Sequence, residues 1–242
     1  MSDLWDEIWS DPLYFPRVYW YAEEFLEYLV KWSMAKQGGL FLELGAGSGR
    51  FSHFLSRKGI EVVALDYSSN SVKLLLTVKK RSKVDFHVIR AEVSKVPFRN
   101  SVFSVVYSEG LLEHFRNLRS VLMEATRVTR QYGIVVFSVP NKFSFHTFGR
   151  FVVVKLMRLK WRYGFERSFS REEARHALIS IGLGNIEFHG IGLLYGVGRY
   201  LPRRMRACLY FLHVKIRGTK LGVFLTEHFG FQIVGKGEKL RQ

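Results

Sequence analysis

The stretch from residue 40 to residue 54, LFLELGAGSGRFSHF, constrains the fold of this chain more than any other segment. An apolar run with an acid, Glu43, leads into a loop in which glycines alternate with small residues: Gly45, Ala46, Gly47, Ser48 and Gly49. Glycine has no Cβ and adopts positive φ easily, so such a loop brings backbone N–H groups and a helix N-terminus close to a ligand. The pattern predicts a strand, a loop and a helix that bind a nucleoside, and a tight turn that binds nothing is the alternative.

A second acid follows at the distance that such a site needs. Residues 61–66, EVVALD, form a short β-branched run that is typical of a buried parallel strand, with Asp66 at its carboxyl end. In nucleoside sites, a carboxylate about 20 residues after the glycine loop accepts the ribose hydroxyls. Tyr67 comes next, and it either lies against the adenine face or is a partly exposed turn aromatic.

The glycine spacing distinguishes this loop from a dinucleotide fingerprint. In that fingerprint the third glycine follows the second by three positions, whereas this chain has GxGxG with Glu43 two residues ahead. The run resembles motif I of the class I methyltransferases that use S-adenosylmethionine (SAM). The resemblance implies that the loop wraps the methionine end of SAM and that Glu43 reaches its amino group, directly or through water.

Residues 88–106, VIRAEVSKVPFRNSVFSVV, extend the resemblance to the type 11 methyltransferase family, which carries an acid–Ala pair, LPF and a phenylalanine–aspartate strand. Glu92 and Val93 occupy the acid–Ala positions, which implies that they recognise the edge of adenine. The chain departs from the family because Glu92 is longer than the common aspartate. It departs again at Ser104, where an aspartate is usual.

The segment SEGLLEHF, residues 108–115, follows the predicted fourth strand. By the same resemblance, Ser108 and Glu109 border the methionine part of SAM, and Glu113 and His114 open a helix near the point of methyl transfer. Histidine has an ordinary pKa near neutrality, which suits removal of a proton from a hydroxyl nucleophile. Alternatively, Glu113 and His114 only cap or brace the helix.

Alternating elements predict the fold class. We expect strands near residues 40–44, 61–65, 84–89, 102–107 and 133–139, a sixth within 168–192 and a last at 229–236. Alternation of this kind indicates a parallel sheet with right-handed crossovers and a ligand at the carboxyl ends of the strands. We therefore predict an α/β Rossmann-like sheet of seven mostly parallel strands with helices on both faces. The family resemblance makes the last strand antiparallel.

Length and composition favour one globular domain over residues 1–242, since 48% of the residues are hydrophobic. Apolar runs stay below the roughly 18 residues that span a bilayer, and the acidic, aromatic start, Met1 to Trp9, differs from a signal peptide, so we expect a cytoplasmic protein. A single cysteine, Cys208, excludes an intrachain disulfide. The eight histidines lack metal-ligand spacing, and we expect no metal.

Three segments lie outside the predicted sheet. Residues 1–38 are predicted to form an N-terminal helical cover, with a helix from about Phe15 to Lys36. Insertions at 141–167 and 193–228 are predicted to form a substrate lid. The net charge of +16 concentrates there: residues 142–167 carry seven bases and one acid, and residues 199–220 carry seven bases and no acid.

Basic segments with interleaved apolar residues have three uses. They form a lid with solvated charges, lie on an anionic membrane surface next to a lipid-like substrate, or grip a nucleic acid. We favour the lid; the charge excess is also typical of the surfaces of thermophile proteins. The sequence thus predicts a SAM-dependent methyltransferase that acts on a small or lipid-like acceptor. A tRNA methyltransferase and a catalytically silent SAM-binding protein are the alternatives.

Overall fold

A seven-stranded sheet organises the molecule. The computed structural model describes residues 2–10, 20–36, 38–198 and 201–241. The strands are β1 Phe41–Leu44, β2 Val62–Asp66, β3 His87–Arg90, β4 Phe103–Glu109, β5 Thr129–Pro140, β6 Leu183–Ile191 and β7 Gln232–Lys239. They lie in the order β3-β2-β1-β4-β5-β7-β6, and β7 runs antiparallel to both of its neighbours. This topology confirms the predicted Rossmann-like sheet with its last strand reversed.

The central strands are buried on both faces because helices cover both sides of the sheet. Every residue of β1 and β2 is buried, as expected for β-branched and leucine-rich parallel strands. Two apolar cores result, one on each face. The strands β1, β2 and β4 are in register side by side, so their carboxyl ends meet at one edge of the sheet.

Ten α-helices lie in the described part of the chain. They are α1 Ser2–Trp9, α2 Trp20–Ser33, α3 Arg50–Arg57, α4 Ser69–Ser82, α5 Leu118–Val128, α6 Phe145–Phe151, α7 Arg171–Ile179, α8 Tyr195–Gly198, α9 Arg203–Arg217 and α10 Lys220–Phe229. Among these α7 starts with a full capping box, in which Ser170 and Glu173 each accept from the other's backbone N–H. None of the described helices is long and apolar enough to cross a membrane.

Two helices represent the predicted N-terminal cover. The structure shows α2 over Trp20–Ser33 with a 3-10 turn at Met34–Lys36, while the predicted start near Phe15 lies outside the described residues. The shorter α1 packs on α4 through Asp6, whose carboxylate accepts hydrogen bonds from Ser68 Oγ at 2.5 Å and Asn70 N at 3.2 Å. A carboxylate at a helix N-terminus is favourable because it meets unpaired N–H groups and the positive end of the helix dipole.

Both predicted insertions leave the carboxyl edge of the sheet. The first, after β5, forms α6 and a π-helical turn at Val152–Leu156. The second, between β6 and β7, forms α8, α9 and α10, and α9 begins directly after Pro202, whose fixed φ suits a helix start. Because α6 packs on α8 and α8 on α9, the two insertions are neighbours beside the site described next.

Candidate active site

A cavity of about 1010 Å³ opens at the carboxyl edge of the sheet. Most of the residues singled out in the sequence line it: Glu43, Gly45, Ala46, Gly47, Ser48, Asp66, Tyr67, Glu92, Val93, Glu109, Glu113 and His114. They come from four separate segments of the chain. The cavity therefore forms where the prediction places the cofactor.

Gly49 and Ser108 lie outside the cavity wall. Gly49 caps α3 with φ 71°, and a Cβ there would run into Leu75 of α4, so this glycine serves helix packing. Ser108 is buried in β4 beside Phe137. Side chains alternate along a strand, so Ser108 faces away from the side that carries Glu109.

The glycine loop is tied to the end of β2. Gly45 and Gly47 adopt φ of 68° and 53°, values that residues with a Cβ rarely take. Gly47 N donates to Asp66 Oδ2 at 2.8 Å, and Ala46 N donates to Leu65 O at 3.0 Å. A Cβ on Gly47 would lie 2.5 Å from the Trp9 ring, so α1 approaches the loop closely at this point.

Asp66 anchors this loop as well as lining the cavity. Its Oδ1 accepts from Ser68 N at 2.9 Å, and the side chain is 8% exposed. Burial raises the pKa of Asp66, while the hydrogen bonds from Gly47 N and Ser68 N act to lower it. Hydrogen bonds from the Ser71 side chain and the Tyr67 backbone also act to lower the pKa of Asp66.

Glu43 braces the start of α3 from inside the core. Its Oε2 accepts from Ser52 N at 3.0 Å, from Ser52 Oγ and from the Tyr107 hydroxyl at 3.2 Å. The side chain is buried, and burial raises its pKa to about 7, with the bonds from Ser52 opposing that rise. Oε1 accepts none of these bonds, so it is the oxygen of Glu43 that a ligand amino group can use.

Glu109 lies in a polar cluster at one side of the cavity. Its Oε2 pairs with Arg50 at 2.6 Å, and its Oε1 accepts from the Tyr21 hydroxyl at 3.0 Å and Gln232 Nε2 at 3.3 Å. The cluster joins α2, α3, β4 and β7. It fixes Arg50 in the cavity wall, a cation that the sequence motifs did not indicate.

Glu113 and His114 do not open a helix, contrary to the sequence prediction. They lie in a 3-10 turn at Leu112–His114, and α5 starts only at Leu118. The backbone leaves the helical region at Phe115, with φ −99° and ψ 126°, which ends the turn. Both side chains are buried and line the cavity instead of capping α5.

His114 is held as a neutral base. Its Nδ1 lies 2.8 Å from the Phe165 carbonyl oxygen, which can only accept a hydrogen bond, so Nδ1 carries the proton and Nε2 has the lone pair. Burial lowers the pKa of His114, although the Phe165 carbonyl acts to raise it. The edge of the Trp5 ring contacts the imidazole, with centroids 4.8 Å apart.

The pKa of Glu113 is raised, whereas that of its neighbour His114 is lowered. The side chain is 4% exposed, and Oε2 has no hydrogen-bond partner among the described residues. Burial and the nearby negative charge of Glu166 raise the pKa of Glu113 well above its usual range. A raised pKa favours the neutral carboxylic acid, the form in which Glu113 can donate a hydrogen bond.

The first insertion supplies a charged cluster that the sequence motifs missed. Glu166 Oε2 accepts from Trp161 Nε1 at 2.7 Å, and its Oε1 pairs with His146 at 3.4 Å and with Arg150. Burial acts to raise the pKa of Glu166, but the bond from His146 and the charge of Arg150 outweigh it and lower the pKa to about 2. The only sequence signal was that Glu166 is the single acid among seven bases.

The remaining cavity wall is largely aromatic and comes from the cover segments. It includes Trp5, Ile8 and Trp9 of α1, and also Tyr163, Tyr195 and Phe231. Two further cations, Arg162 and Arg206, reach it from the two insertions. No short motif marks such residues, because their position depends on how the insertions fold back over the sheet.

Comparisons with known proteins agree with this fold. Residues 42–137 match the family model of a methyltransferase domain. A malonyl-[acyl-carrier protein] O-methyltransferase of Buchnera aphidicola is 31% identical over 109 residues, which are 45% of this chain and 42% of that protein. A demethylmenaquinone methyltransferase of Renibacterium salmoninarum is 32% identical over 120 residues, 50% of this chain and 48% of that protein.

A solved structure extends the likeness beyond the matched segment. Phosphoethanolamine N-methyltransferase 2 of Haemonchus contortus, in complex with SAM, superposes with a TM-score of 0.63 at 16% identity, covering 90% of this chain and 53% of that one. The chain spans less than half the length of the two curated relatives. It has the class I SAM-dependent methyltransferase fold. Within it, residues 42–137 match a methyltransferase domain, as the resemblance to the type 11 family predicts.

Proposed function

We propose that this chain uses SAM to methylate a small or lipid-like acceptor. One observation carries the proposal: a single cavity joins the glycine loop, Asp66 and Glu92 at one end to His114 and Glu113 at the other. The matched methyltransferase domain and the solved complex of a structural neighbour with SAM support the choice of cofactor.

The cavity residues fit SAM. The loop at Gly45–Ser48 would face its methionine part, Asp66 would accept the ribose hydroxyls, and Glu92 with the backbone of Val93 would meet the adenine edge. Glu43 Oε1 would accept from the amino group. Pockets for one small ligand usually measure about 300–1,000 Å³, so a cavity of about 1010 Å³ has room for the cofactor and part of an acceptor.

The chain's own groups would handle the acceptor. Bound SAM supplies a methyl group on a sulfonium, which is already activated for transfer. His114 Nε2 would take the proton from the acceptor's nucleophilic atom, because its tautomer and lowered pKa keep that nitrogen unprotonated. Protonated Glu113 would donate a hydrogen bond to orient the acceptor. The aromatic walls exclude water and align the reacting atoms.

The residues of the cavity wall and the names of the relatives together suggest the chemical class of the acceptor. Trp5, Ile8 and Phe231 suit an apolar group, and the cations Arg162 and Arg206 suit an acidic one. By their names, the two curated relatives act on malonyl-[acyl-carrier protein] and demethylmenaquinone. We infer that the acceptor combines an apolar body with an anionic or hydroxyl group.

Two measurements test the proposal. Titration calorimetry with SAM and with its demethylated product measures binding, and transfer of radiolabelled methyl groups to cellular lipid extract or to total tRNA identifies the acceptor class. We expect SAM to bind and label to enter the lipid extract. Incorporation into tRNA alone would replace the proposal with the RNA alternative. Binding without transfer to any extract would favour a silent SAM-binding protein.

A further inference from the structure

The helices of the two insertions expose an unusual amount of apolar side chain. We define the insertion surface as residues 145–160, which contain α6, and residues 204–229, which contain α10 and α9 from its second residue. Surface helices normally turn charged residues outward and apolar residues inward. On the insertion surface, large apolar residues are exposed together with the bases.

Helix α9 shows this exposure most clearly. Among the side chains of α9 that the structure describes, only His213 is buried, paired with Glu24 of α2 at 2.7 Å, and the residues on the opposite face are exposed. That face carries two bases, Arg204 and Lys215, among small or apolar residues: Ala207, Cys208, Phe211, Leu212 and Val214. Phe211 is 67% exposed.

The neighbouring helices continue this character. In α10, Leu221 is 67% exposed, and Val223 and Phe224 are exposed beside it. In the first insertion, Phe148 is 67% and Leu156 is 68% exposed. Further exposed apolar residues there are Phe145, Phe151, Val154, Met157 and Leu159. An apolar surface of this extent on a protein that also has a full core marks an interaction site.

The exposed charges of this surface are nearly all positive. Its one acid, Glu227, is partly buried and pairs with Arg171 and His189. Exposed bases punctuate both parts: Lys155, Arg158, Lys160, Arg204, Lys215 and Lys220. The only acid of residues 141–167 is Glu166, which is buried in its own ion pairs, and residues 199–220 contain no acid. Because exposed carboxylates are lacking over these residues, the surface complements a negatively charged partner.

We propose that the insertion surface docks on a membrane of anionic lipids. Apolar side chains enter the boundary between headgroups and acyl chains while bases pair with lipid phosphates, the combination that holds amphipathic helices at bilayer surfaces. A second copy of this chain fits less well, since a symmetric contact would bring like charges together. Nucleic-acid binding would use the basic side chains and aromatic side chains that stack on nucleobases. A nucleic acid has no apolar surface against which Leu156, Leu212 or Leu221 could pack.

Docking in this orientation would place the membrane beside the cavity. Arg162 and Arg206, on the insertions, line the cavity wall, and α6, α8 and α9 pack in sequence around it. A lipid-like acceptor could then pass from the bilayer to His114 without crossing water. The docking itself is measured by binding and does not depend on methyl transfer.

Cys208 provides a direct probe, because it is exposed on the outward face of α9 and is the only cysteine of the chain. An environment-sensitive fluorophore on Cys208 is mixed with vesicles of phosphatidylcholine alone or with about 30% phosphatidylglycerol. We expect a blue shift and co-sedimentation with the anionic vesicles only. Both should weaken as salt rises, since bases near a charged membrane are screened within a Debye length.

Matched variants distinguish binding through this surface from attraction caused by the net positive charge of the whole chain. Arg204→Glu with Lys215→Glu should lower the partition coefficient at least tenfold, since each base near an anionic surface contributes about fivefold. Lys80→Glu with Arg99→Glu makes the same charge change at exposed sites at the opposite end of the sheet, and it should leave partitioning within about twofold. Phe148→Ser with Phe211→Ser should also lower partitioning, while circular dichroism and the SAM affinity stay unchanged.

Four results would overturn the proposal. The first is absence of binding to anionic vesicles, and the second is an equal loss in the two charge pairs. The third is full vesicle binding by the double serine variant together with displacement by tRNA, which would assign the surface to polyanions in general. A concentration-dependent dimer that buries Cys208 and excludes vesicles would assign it to a second copy of the chain.

Discussion

Replacing Gly47 with alanine tests whether α1 closes over the glycine loop. The new methyl group would lie 2.5 and 2.6 Å from two carbons of the Trp9 ring, whereas carbon atoms in contact normally sit about 3.5–4.0 Å apart. The ring must therefore move by roughly 1 Å, or the loop must shift. Gly59 is a matched control, because it also has positive φ, 78°, but a Cβ there meets nothing within 4 Å.

Both substitutions incur the backbone cost of positive φ, but only Gly47→Ala also incurs an overpacking cost. An alanine in the left-handed region costs roughly 1–2 kcal/mol, and this is the whole expected effect of Gly59→Ala on the free energy of unfolding. Gly47→Ala adds an overpacking cost of about 1–3 kcal/mol from the Trp9 contact. We therefore expect Gly47→Ala to be the more destabilising variant by about 1–3 kcal/mol.

Urea unfolding followed by circular dichroism measures both costs, and the Trp9→Ala background completes a double-mutant cycle. On that background, Gly47→Ala should cost no more than Gly59→Ala, because the clashing ring is gone. Equal losses for the two glycine variants in the native background would refute the close approach of α1. An excess loss that persists without Trp9 would assign the clash to another neighbour.

Three further predictions concern protonation. His114→Asn should lower kcat by about 10²–10⁴-fold with little change in SAM affinity. Because burial lowers the pKa of His114, the rate of the wild-type enzyme should fall only below pH 6.5. A stopped-flow single-turnover pH profile checks both expectations. Below pH 7, SAM affinity should drop by up to about tenfold per pH unit, because Glu43, with a pKa of about 7, must lose its proton to meet the ligand's amino group. Calorimetry in two buffers should show the released proton, and Glu43→Gln should abolish it. Glu166→Gln should lower the free energy of unfolding by about 3 kcal/mol at pH 7, because the pKa of Glu166 falls from 4.5 to about 2 on folding. In acid unfolding curves, the difference in stability from the wild type should vanish as the pH falls from about 5 to 2.

Each of these has an outcome that contradicts it. A full rate for His114→Asn would leave the histidine as a brace, which is the alternative raised by the sequence. SAM binding that is independent of pH between 5 and 8 would mean that Glu43 serves only Ser52 and Tyr107. Equal acid unfolding of wild type and Glu166→Gln would mean that the ion pairs of Glu166 contribute nothing net.

Local pattern was sufficient to predict the sheet and the glycine-loop end of the cavity. Strand periodicity and the glycine loop depend on contacts within about 20 residues, so the sequence placed β1, β2 and β4 close to their observed bounds. It also brought Glu43, Asp66 and Glu92 to one edge of the sheet, since parallel strands end together. The positions of Gly49 and Ser108 relative to the cavity were harder to predict, because loop packing and strand alternation decide which neighbour a single residue faces.

Tertiary structure decided the rest. Asp66 proves to be a loop anchor through Gly47 N, and His114 receives its tautomer from Phe165, a residue of the first insertion. The pKa of its neighbour Glu113 is raised because the fold buries that side chain and places it near Glu166. Such effects arise from burial and from partners far apart in sequence. The chain by itself therefore determined the fold and the glycine-loop end of the cavity, whereas the packing of its insertions set the surroundings that shift the pKa values of His114 and Glu113 at the other end.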